Sequence, residues 1–159
     1  MIFINPLTLL VRRIALHKKA STVPTSIIPL SRIGKATVIL DMDADADFVS
    51  MDVKKFFTEH DIQVQILNLQ KWDINIFGMV KKAKMQEMYD WDADVFISLA
   101  GPENFTAEYA SRCSRARFKI GRYDLQPDVY DIVIVNREHQ LPRQQKVFST
   151  IVEYLLKII

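Results

Sequence analysis

The sequence predicts one α/β domain, a three-layer Rossmann-like arrangement of about five mostly parallel strands with an amphipathic helix in front of it. Two observations carry that expectation. Short continuous apolar runs, such as 36–40 and 95–99, are what a strand covered on both faces looks like. Segments of helical periodicity separate them at the spacing of βαβ units, whose right-handed crossovers give a parallel sheet. A chain of 159 residues suits one such domain.

In chain order, Leu7, Leu10, Val11 and Ile14 recur at the interval of one helix face, with Pro6 in the first turn and His17, Lys18 and Lys19 at the C-terminal end. Residues 1–19 are therefore read as an amphipathic helix docked on the domain through those four side chains. The competing reading is peripheral contact with a membrane surface. Residues 20–34, with Pro24, Pro29 and Gly34 among Ser and Thr, read as a linker. Residues 35–159 then form the domain. Strands are expected at 36–40, 62–69, 95–99, 117–120 and 132–135. A helix at 47–60 shows its period through Phe48, Met51 and Phe56. Others are expected from Gly78 through Met85 and Met88 to Trp91, from an Asn104 cap to about Ala116, and over 144–159.

Composition narrows the function. The net charge of +2 gives no whole-molecule field that would recruit nucleic acid. Residues 1–35 hold six Lys/Arg and no acid, so the basic excess belongs to the N-terminal arm. The single cysteine, Cys113, leaves no internal disulfide and no multi-cysteine metal site, which suits a reducing compartment. The apolar stretch precedes its positive charges, the reverse of a secretory signal, and the expected location is cytoplasmic. The four glycines form neither G-x-G-x-x-G nor a P-loop, so no dinucleotide is expected. Cys113, mid-helix among small residues, reads as a packed thiol.

Two charge clusters stand out. The first is the run from Asp41 through Asp43 and Asp45 to Asp47, with Asp52 beyond it, at the end of the first strand. Closely spaced carboxylates repel unless a cation holds them, so Asp41, Asp43 and Asp45 are candidate ligands for Mg²⁺. The stretch Val38-Ile39-Leu40-Asp41-Met42-Asp43 resembles the first motif of haloacid-dehalogenase-type phosphatases. The resemblance implies Asp41 as nucleophile and Asp43 as acid/base on a Mg²⁺-binding strand end, with Ser98 and Lys119 in supporting roles. Asp45 stands where that family has Thr or Val, and its downstream acidic pair is absent in recognisable form, so that Asp124 and Asp128, on the wrong flanking strand, would have to substitute. A calcium loop fits less well, since Ala46 replaces its glycine. The structural alternative has Asp45 or Asp47 capping the next helix.

The second cluster is Arg112, Arg115, Arg117, Lys119 and Arg122, with no acid among them. Arg112 and Arg115 fall on one helix face, and Glu108 can pair with Arg112. Arg117 and Lys119 alternate around Phe118 and so share a strand face. Arg112, Arg115, Lys119 and Arg122 are the candidate anion-binding residues, against a solvated basic face. For Arg122 the favoured partner is a carboxylate of this chain. Aromatic interleaving is too sparse for a nucleic-acid track.

The stretch 95–105, Val-Phe-Ile-Ser-Leu-Ala-Gly-Pro-Glu-Asn-Phe, and its continuation from Glu108 to Arg122 resemble a small uncharacterised bacterial family of unknown function. The segment Ala116-Arg117-Phe118-Lys119-Ile120-Gly121-Arg122 is also similar to the acceptor-side domain of heptosyltransferase-like GT-B glycosyltransferases, which implies a shared Rossmann-like fold. Those enzymes bind their nucleotide sugar on a second domain that this length cannot supply. The expected function is a non-catalytic binding or interaction module for a small anion or a protein. The Mg²⁺-dependent phosphatase is the competing class.

Overall fold

Apolar runs buried on both faces build the centre of the sheet. In the computed structural model, which describes residues 5–41, 45–125, 129–135 and 143–158, strand β1 (Lys35–Ile39) is flanked by β2 (Gln63–Leu67) and β3 (Val95–Ser98), followed by β4 (Phe118–Gly121) and β5 (Ile132–Val133). All pairings are parallel, in the order β2-β1-β3-β4-β5. Ala36 pairs with Val64 on one side and Val95 on the other, which fixes the register.

Alternation along the strands divides the core in two. Val38, Ile97 and Ile120 face α2 (Ala46–Glu59) and α5 (Gln144–Lys157), meeting Val49, Val53, Phe57, Val147, Ile151 and Leu155. Ile39, Leu67 and Phe96 face α3 (Lys82–Trp91) and α4 (Phe105–Cys113), meeting Met85, Met88 and Ala110. Chain order reverses between β1 and β3, so the loops leaving those strands diverge to opposite faces, the position where doubly wound sheets open a crevice.

Three details differ from the sequence reading. In α2 the buried residues are Val49, Val53, Phe56 and Phe57, while Phe48 and Met51 are exposed. The apolar residues of this helix spread around more than one face, and tertiary packing selects among them. Helix α4 stops at Cys113, so Arg115 lies beyond it. Helix α1 (Pro6–Lys19) is capped by the Asn5 side chain, which accepts from Leu7 N–H. It docks through Ala15 and Leu16 rather than through Leu7, Leu10 and Ile14, which are exposed. Arg12 turns the helix onto this face. Its Nε donates to the Phe77 carbonyl at 2.7 Å, and its guanidinium lies 4.3 Å from the centre of the Phe105 ring. A Cβ on Gly78, which has φ 84°, would crowd that guanidinium.

The stretch 20–34 runs along the domain. Ser21 N–H donates to the Arg112 carbonyl and Ser26 N–H to that of Arg117, each at 2.8 Å. Ile33 is buried in the α2/α5 core, with Ile28 and Leu30 against it. Among the described residues no helix is long and apolar enough to cross a membrane.

Candidate functional site

At the β1/β3 reversal the leading side chain is Asp41. One carboxylate oxygen accepts from Gly101 N–H and the other from the Asn104 side chain at 2.9 Å, and Asn104 in turn caps α4 through Ala107 N–H. Behind Asp41 the fully buried Gln144, the first residue of α5, accepts from Asp41 N–H at 2.8 Å and donates to Asp41 C=O at 2.9 Å. An amide side chain thus pairs with the end of β1 as a neighbouring strand would. Gln144 also donates to Asp45 at 3.3 Å. Asp45 occupies the N-cap position of α2 without making the side-chain cap bond. Asp43 lies outside the described residues. Among the described residues no three His, Cys, Asp or Glu side chains gather as a metal site.

Beside this clamp lies a crevice of about 270 Å³ between the carboxyl ends of β1 and β2 and the starts of α2 and α4. Its polar lining is Asp47, Ser50, Asn68, Asn104 and Thr106, and the rest is chiefly aliphatic. Among the described residues its one titratable lining side chain is Asp47.

The residues of the phosphatase resemblance lie in different places. Asp41 faces the β3 loop. Ser98 is buried beside Arg122 and Tyr130 around a space of about 20 Å³, room for about one water. Lys119 lines a separate cavity of about 180 Å³.

The basic segment is dispersed as well. The Arg115 guanidinium stacks 4.0 Å from the Tyr89 ring centre. Arg117 is exposed and pairs with Asp94 at 3.0 Å, so it does not share the surroundings of Lys119. Arg122 is buried and donates to the Leu99 carbonyl at 3.1 Å. Arg112 and Lys119, by contrast, meet at the cavity of about 180 Å³, roofed by Ala20, Ser21, Val23 and Thr25 and closed by Val129.

Lys119 is 4% exposed. Its Nζ donates to the Ser111 carbonyl at 2.8 Å, in the last turn of α4, where the helix dipole favours a cation. Burial pushes the ammonium down to about 8, with Arg112 acting in the same direction and Cys113 and Asp131 opposing it. Arg112 pairs with Glu108 at 3.0 Å. Asp131 accepts from Lys119 N–H at 2.8 Å and from the Thr25 hydroxyl at 3.0 Å, joining roof to floor. Burial raises the Cys113 thiol to about 11, so it stays protonated and unreactive at neutral pH. Tyr130, which lines the smaller space beside Ser98, donates its hydroxyl to Ser111 Oγ at 2.9 Å. Its ring crosses the end of β4 in space that a Cβ on Gly121 would occupy, a close approach that requires glycine there.

Gln144, Ser111 and Tyr130 escaped sequence reasoning. Uncharged polar residues inside or beside apolar helices carry no pattern that marks them as buried anchors. For Tyr130 the following Asp131 and its distance from Gly121 give no signal without the fold.

No curated protein and no solved structure matches the chain, so the glycosyltransferase likeness rests on the quoted residues alone. A family model does match, over residues 64–159, a span that includes most of β2, the floor of the Lys119 cavity and α5 but not the roof of that cavity. The chain belongs to that family, the family of unknown function DUF6913.

Proposed function

We propose that this domain is a non-catalytic binding module that holds a small carboxylate anion in the cavity between α4, β4 and the 20–25 segment. The carrying observation is Lys119. Its buried ammonium has three N–H donors and gives one to Ser111, while the side chain lines a cavity shared with Arg112 and the Ser21 and Thr25 side chains. A carboxylate accepts from both cations. Glu108 pairs with Arg112, and the Asp131 carboxylate acts electrostatically on the Lys119 ammonium, which favours a singly charged ligand over phosphate. The phosphatase alternative has less support, because both carboxylate oxygens of Asp41 are engaged in holding loops together.

The test is thermal unfolding with millimolar acetate, lactate or sulfate. A ligand at a hundredfold excess over its dissociation constant stabilises by about 2.7 kcal/mol, which raises the melting temperature of a domain this size by roughly 5–10 °C. Acetate or lactate is expected to raise it, sulfate less so, and Lys119→Met to abolish the effect, with Arg115→Gln as an unaffected control. No shift with either carboxylate, or a shift that Lys119→Met retains, overturns the proposal.

A further inference from the structure

We propose that the outer face of α1, with the adjoining loop tip at Ile76, docks on an anionic lipid bilayer surface. At about 100° per residue, Leu7 and Ile14 lie almost in line and Leu10 about 60° to one side, whereas the docked Ala15 and Arg12 point about 80° and about 140° to the other. Leu7, Leu10 and Ile14 are 59%, 53% and 45% exposed, an apolar stripe that the domain leaves uncovered. Ile76 is 91% exposed and adjoins Phe77, whose carbonyl Arg12 holds, so a second apolar prong stands next to the helix.

Charge identifies the occupant. Arg13, Lys18 and Lys19 are all exposed on this helix, and no acidic residue occurs before Asp41. Arg12, by contrast, is spent on the domain. Exposed cations beside an aliphatic stripe match an anionic interface, where long basic side chains reach headgroups while the stripe enters the acyl boundary. A two-fold dimer through the same face would set like charges against like. Two separate convex prongs also need an acceptor without fixed shape, which a fluid bilayer provides. This inference is independent of the carboxylate cavity.

The test is flotation of the full chain with vesicles of phosphatidylcholine alone or mixed with phosphatidylglycerol. Wild type is expected to float with the anionic vesicles and to be released by high salt. Joint Arg13→Gln and Lys18→Gln substitution should weaken partitioning roughly thirtyfold, from the effect of about 1 kcal/mol per surface-bound cation. Leu10→Asp should weaken it at least as much. Both variants alter exposed positions, and unchanged thermal unfolding would show that each is folded. Absence of wild-type flotation, equal flotation with neutral vesicles, or undiminished flotation of Leu10→Asp overturns the proposal. Lipid-free dimers in sedimentation that Leu10→Asp dissociates would assign the face to a second copy instead.

Discussion

The aspartate loop after β1 and the basic segment from α4 to β4 are both short runs of one charge sign, and the fold treats them in opposite ways. Asp41 and Asp45 are drawn inward onto uncharged donors: a glycine amide, an asparagine and Gln144. The basic residues go to separate destinations, a tyrosine ring, a half-buried aspartate and a carbonyl, except for the two that meet at a cavity. A charge cluster in sequence is therefore not a cluster in space. What decides its role is whether the neighbouring elements leave room beside it.

The sharpest way to break this contrast is at Gln144. Replacing it with leucine keeps much of the volume but removes the partners of Asp41 N–H and C=O. Unsatisfied buried polar groups of this kind cost about 1–3 kcal/mol each, so Gln144→Leu should destabilise by about 2–3 kcal/mol in urea unfolding. A loss under about 0.5 kcal/mol would mean that water replaces the amide and that the loop is not clamped.

The basic counterpart is Lys119, where the sign is reversed. Its folded pKa of about 8 lies below the ordinary 10.5, so between those values the unfolded chain binds a proton that the folded chain has released. Stability from this group therefore rises with pH across that window and carries a constant penalty below it. Lys119→Met removes the penalty and also the bond to Ser111, for a net gain of about 1–2 kcal/mol at pH 7 that disappears near pH 10.5. Urea midpoints at the two pH values give the measurement. A variant less stable than wild type at pH 7 would show that the ammonium is held chiefly as a cap on α4.

Much of the fold was legible because β1 and β3 are mostly apolar runs and Asn104 stands where a helix cap belongs. The side chains facing inward were less so. Phe48 and Met51 fit a helical period as well as Val49 and Val53 do, and only the opposing α5 decides between them. The stripe of α1 is plainly apolar in the sequence, yet it faces outward while Arg12 reaches Phe77 and Phe105, residues 65 or more positions away. For the candidate site, Arg112 and Lys119 were legible as cations. Their convergence was not, because it depends on α4 ending at Cys113 and on the 20–25 segment crossing above.

The smallest expected effects separate two members of one ion pair. Asp94 accepts from Gly34 N–H at 2.8 Å and Lys35 N–H at 3.1 Å, tying down the start of β1, and from Arg117 at 3.0 Å. Arg117 is two-thirds exposed and makes its ion pair in solvent. Burial pushes the Asp94 carboxyl upward, but the two backbone amides and Arg117 together outweigh it and leave the pKa below the ordinary 3.8. With a depressed folded pKa, the contribution is complete at neutral pH and is lost as pH falls through that value. Asp94→Ala should therefore cost about 1 kcal/mol at pH 7, chiefly through the two orphaned amides. Arg117→Ala should cost less than about 0.5 kcal/mol, the usual worth of an exposed pair, and less still in high salt. Urea unfolding of both variants and of the double mutant at pH 7 closes the cycle. Equal losses from the two single variants would show that the ion pair, not the backbone amides, is what Asp94 contributes.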